Sequence, residues 1–109
     1  MSSQNVLEQI RLDNLRCEEI IRLVEPIKAL IDNLFDQTDR LNDERPIFNP
    51  NLWVRGTDRV LFVQNYERNV AQWEMRYAQL RQRLEVQLLR RETLLGELIL
   101  IRARQQHFL

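Results

Sequence analysis

One ladder of apolar residues constrains this chain more than any other feature. Val6, Ile10, Asp13, Cys17, Ile20, Val24, Ile27, Ile31, Leu34, Thr38 and Leu41 follow one another in unbroken steps of four and three. That rhythm averages about 3.5 residues, the repeat that holds one face of an α-helix against a neighbouring helix. Asp13 and Thr38 are the only polar members. β-Branched residues fill the middle, where their stiff rotamers suit interhelical packing. Leu7, Leu12, Leu15, Ile21, Leu23, Leu30 and Phe35 lie off the ladder, so the apolar face is wider than a two-stranded coiled coil requires. A helix with two apolar stripes touches two neighbours, as in a three- or four-helix bundle.

The helix so predicted spans 5–42. Pro26 lies inside it, lacks an amide donor and crowds the carbonyl of Arg22, at a cost of about 3 kcal/mol. The expectation is a kink near Pro26, or else a break with Pro26 opening the first turn of a new helix. Residues 43–56 form the connection. Pro46 and Pro50 push Arg45 and Asn49 away from helical angles, and Thr57 or Asp58 offers an N-cap oxygen.

A second helix is expected over 58–106. Its ladder reads Val63, Tyr66, Val70, Trp73, Tyr77, Leu80 and Leu84, then slips by four to Leu88 and continues through Arg91, Leu95 and Leu98. Such a stutter unwinds a supercoil locally. Two long helices joined by a connection of this length fold back on each other. The fold class is therefore all-α: a long antiparallel helical hairpin, coiled-coil-like and associating into a helical bundle, in a single domain over 1–109. With two glycines and three prolines, the chain lacks the frequent turns of an all-β fold.

Folding about residue 50 places residue i near residue 100 − i. Helix one would be about 57 Å long and helix two about 74 Å, at roughly 1.5 Å per residue. Residues from about Leu95 onward would then project beyond helix one. That stretch includes Leu94, Leu95, Leu98, Ile99, Leu100 and Ile101, which together ring the helix. Unless a break at Pro26 makes a three-helix bundle that covers them, such a segment needs a partner. Leu94, Leu95, Leu98, Ile99 and Ile101 are accordingly the candidate protein interface, with Gly96 allowing close approach of a partner helix. A second candidate lies at the loop end, where the aromatic residues gather. There Phe48 and Trp53 either complete the hairpin's own core or stand out as anchors for a partner.

Charge adds a weaker hint. Formal net charge is zero, but residues 1–56 hold ten acidic and seven basic side chains and residues 57–109 hold six and nine. Opposite halves suit antiparallel packing. Arg76, Arg81, Arg83, Arg90, Arg91, Arg102 and Arg104 lie along helix two, which makes Arg-dependent nucleic-acid binding the alternative function. Glu74, Glu85, Glu92 and Glu97 are interleaved among them, whereas phosphate binding needs a clustered basic face. Binding of the tail to a membrane surface is disfavoured for lack of a basic polar face.

No catalytic constellation emerges. His107 is the only histidine and stands near the C-terminus, and Cys17 is the only cysteine and stands on the apolar ladder. No cofactor or metal site is expected, and no phosphate-binding loop is present. A polar start without a basic and apolar leader, and the lone cysteine, point to an intracellular, cytoplasmic protein. The reading at this stage is a non-enzymatic structural or adaptor subunit. It would assemble by helix–helix packing with itself or with another helical protein.

Overall fold

The computed structural model describes residues 3–48 and 57–107. It contains two α-helices, α1 (Ser3–Asp43) and α2 (Thr57–Gln106), packed against each other as a hairpin, with no strand among the described residues. Both helices start and stop within about two residues of the positions read from the ladders. Helix ends fray over that distance.

α1 runs without a break through Pro26, so the alternative of a new helix opening there is excluded. Pro26 is exposed, and the ring points away from the ladder. The helix ends where Pro46 forbids another turn. The Glu44 amide donates to the carbonyls of Arg40 and Leu41, at 3.2 and 3.1 Å, and the Arg45 amide donates to Asn42.

The contacts divide the chain into two units. The first comprises residues 1–32 and 85–109, the second residues 33–84. In the first, Ile20, Leu98 and Ile101 form a buried cluster, with Cys17, Val24 and Leu94 packed around it. Ile27 and Ile31 are buried on the same ladder. Each such aliphatic side chain contributes about 2 kcal/mol as an upper bound. In the second unit Leu34 and Leu41 are buried. Thr38 keeps its ladder position because its hydroxyl donates to the carbonyl of Leu34 at 2.8 Å. The polar atom is thereby satisfied within its own helix.

The pairing differs from a fold about residue 50. Arg16 meets Glu97, and Asp13 meets Arg104; the simple fold put Arg16 beside Leu84. In the second unit the Phe48 ring packs on Phe62 and Tyr66, with centroids 6.0 and 5.3 Å apart. Residues 44–48 therefore run on beside α2 in a non-helical path. Non-helical backbone covers more length per residue than helix does. In the first unit the C-terminal turns of α2 lie alongside α1.

The expected stutter is also absent. Burial along α2 keeps the three–four rhythm through Leu84, Gln87, Arg91, Leu94, Leu98 and Ile101. Gln87 and Arg91 occupy ladder positions and are half-buried there. Reading only apolar residues moved the ladder onto Leu88 and Leu95; the helix itself never changes phase.

Candidate interaction surface

The first unit is clasped by polar pairs that cross between the helices. Asp13 is 3% exposed, on the apolar ladder, and accepts from the Arg104 guanidinium through both carboxylate oxygens, at 2.6 and 3.1 Å. Gln9 Nε2 donates to the same carboxylate at 2.9 Å. The hydrogen bonds from Arg104 hold the Asp13 carboxyl below its ordinary range, against the opposing effect of burial. Arg16 makes a second two-pronged contact with Glu97, at 2.7 and 2.9 Å, and also reaches Glu19 at 3.0 Å. Its guanidinium likewise lowers the Glu97 carboxyl. Gln105 donates to Asn14 at 2.7 Å, one residue on from the Arg104–Asp13 pair. Two-pronged pairs of this kind demand one geometry and so specify register.

The predicted interface residues do not act as one patch. Leu98 and Ile101 are buried at 7% and 6% exposure against Ile20 of the same chain, and Leu94 packs on that cluster. The expected overhang is absent at these three, because α1 lies over them in the first unit. Leu95 and Ile99 lie on the outer side, at 37% and 67% exposure. A Cβ added to Gly96 would meet nothing within 4 Å, so nothing in this chain requires the glycine. Phe48 is spent partly on Phe62 and Tyr66; Trp53 lies outside the described residues. The end left uncovered is instead the first turns of α1, where Leu7 is 66% exposed.

Two apolar strips remain on the first unit, one on each side of the seam. On one side Leu23 of α1 and Leu89, Arg90, Thr93 and Leu94 of α2 line an open groove. On the other, Leu88, Arg91, Glu92, Leu95, Gly96 and Ile99 line a groove on α2, and Ile21 of α1 is half-exposed. The off-ladder residues of α1 are the second apolar stripe read from the sequence, and they stand exposed. The outer row of α2 was missed, although it is written in the sequence. Met75, Gln79, Gln82, Val86, Leu89, Thr93, Gly96, Leu100 and Ala103 also step by four and three, and none is charged. A solvated outer face is ordinarily charged.

In the second unit, Trp73 donates its indole N–H to the carbonyl of Leu41 at 2.6 Å and stacks on Tyr77 at 5.2 Å. Arg45 lies over the Trp73 ring. These rings close the hairpin on itself. Among the described residues no cluster of His, Cys, Asp and Glu is arranged to hold a metal ion, and no helix is long and apolar enough to cross a membrane. Compared with protein-family models, curated proteins and solved structures, the chain matches none of them.

Proposed function

We propose that this protein is a non-enzymatic structural subunit, a scaffold or adaptor of the cytoplasm, that assembles by helix–helix packing in a multi-protein complex. One observation carries the reading: both helices keep a second apolar row after the hairpin has closed. A two-helix layer buries one stripe per helix and has no element left to cover another. Leu23, Leu30 and Leu89 on one side, and Ile21, Leu95 and Ile99 on the other, are all 37% exposed or more. Contiguous apolar rows of this kind are interface material. Nucleic-acid binding draws less support. Arg104 is held by Asp13, Arg76 reaches Glu44, and Arg81 lies over Tyr77.

The test uses the tagged full chain recovered gently from cells that express it. It is expected to run in a particle much larger than its own mass. Leu89→Asp with Ile99→Asp, both on exposed positions, should release it as a single chain with unchanged helical circular dichroism. A wild-type chain that runs alone, or a variant that stays in the large particle, counts against the reading.

A further inference from the structure

In the first unit α2 keeps an outer row on the side away from its ladder. The row reads Val86, Leu89, Thr93, Gly96, Leu100 and Ala103, in steps of three and four over about 26 Å of helix. Val86, Leu89 and Leu100 are half-exposed or more, and no member of the row is charged. Gly96 weakens the helix that it stands in. Open space lies where its Cβ would be, so the glycine serves no contact inside this chain. The row reads alike from either end: two small residues in the middle, a leucine on each side, and a smaller aliphatic residue at each end. Laid antiparallel on a copy of itself, Thr93 meets Gly96, Leu89 meets Leu100, and Val86 meets Ala103. The small central layers let the two helices approach closely, with a leucine pair on either side.

The charges beside the row favour the same orientation. Charged residues flanking an interhelical seam set partner choice and direction, and in an antiparallel pair each flank lies against the same flank of the other helix. One flank carries Arg90, Glu97 and Arg104. Arg104 is taken by Asp13. Glu97 shares Arg16 with Glu19, which leaves that cluster one negative charge. Arg90 donates to Gln87 at 3.3 Å and, among the described residues, has no ion-pair partner. Antiparallel pairing brings Arg90 of each copy to the Glu97 cluster of the other. On the second flank Glu92 falls opposite Ile99, and Glu85 opposite Gln106. Arg91 and Arg102 lie toward the ladder by helical position, off both flanks. A parallel pair would instead set Glu97 against Glu92, and like charges disfavour it. We propose that two copies of this chain pair two-fold through the outer row of α2, antiparallel about Thr93 and Gly96, with Arg90 of each against Glu97 of the other. The contact is isologous, the same patch serving both copies. This rests on the assembly reading above and names the partner as a second copy.

Sedimentation equilibrium of the purified full chain tests this. Wild type is expected to distribute between a dimer and the single chain. Gly96→Arg should weaken the dimer at least about tenfold. Its helical circular dichroism should hold, because the new side chain enters open space in its own chain. Arg90→Glu sets a carboxylate against the Glu97 cluster of the other copy and should weaken the dimer as well. Glu92→Arg, opposite Ile99, should leave it intact. Orientation is read by oxidising a mixture of Leu89→Cys and Leu100→Cys chains, each also carrying Cys17→Ala. The mixed disulfide should exceed the two like-with-like ones. The proposal is overturned if wild type is a single chain at every concentration or if Gly96→Arg or Arg90→Glu pairs like wild type. It is equally overturned if Glu92→Arg dissociates or if like-with-like disulfides prevail. A chain that is single when pure yet large when recovered from cells has another protein as its partner. That result removes self-pairing and leaves the subunit reading standing.

Discussion

Asp13 shows how one residue can break the apolar pattern and still serve the fold. Its carboxylate stands where a leucine would fit, yet both oxygens are met by Arg104 and one also by Gln9. A buried carboxylate without such partners would be strongly destabilising. The solvated pair Glu8–Arg11, by contrast, contributes next to nothing. Because Asp13 and Glu97 are both held below their ordinary values, their contribution is fully present above the unfolded values of about 4. It is lost as pH falls through the folded values. Thermal midpoints should therefore drop on acidification below about pH 4. Asp13→Asn should flatten that acid slope while lowering the midpoint near neutrality. An unchanged slope in the variant would show that other carboxylates govern the acid transition.

At the scale of the helix, Pro26 is the one local defect. α1 is continuous across it, so the ladder's burial outweighs a cost of about 3 kcal/mol. Pro26→Ala restores a donor for the Arg22 carbonyl at an exposed position, where alanine causes no clash. Against that gain, proline stiffens the unfolded chain, an effect of about 1 kcal/mol or less. The net expectation is a stabilisation of about 2 kcal/mol, read as a higher denaturant midpoint with unchanged slope. A midpoint that falls would mean that proline's stiffening of the unfolded chain outweighs the hydrogen bond and clash it costs the helix. The C-terminal half of α2 teaches a related point. Gln87 and Arg91 hold ladder positions because position on the helix, rather than polarity, determines which side chains face α1.

At the scale of the molecule, the two layers have no reserve core. Leu98 and Ile101 meet Ile20 across the hairpin in the first unit. Leu98→Asp with Ile101→Asp should therefore melt that unit, at a cost beyond about 4 kcal/mol. Loss of far-ultraviolet helical signal and rapid proteolysis of residues 85–109 would report it. A double variant that stays helical and merely dissociates would place these side chains at an intermolecular contact instead. The contrast with Leu89→Asp and Ile99→Asp is what separates folding from assembly in this chain.

Helical ladders, their ends and the hairpin itself were all legible in the residue spacing, since a step of three and four has one geometric meaning. The excess of apolar residues on α1 was legible as well, and so was the uncharged outer row of α2, had the polar members been counted by phase. Register was not. Pairing depends on which turns of the two helices lie opposite each other, and a ladder that repeats every two turns does not encode that. The register observed in the first unit puts Leu98 and Ile101 in its core and leaves Leu95 and Ile99 outside. Spacing along a helix decides which residues share a face. Only the partner helix decides how far along each face the cover extends.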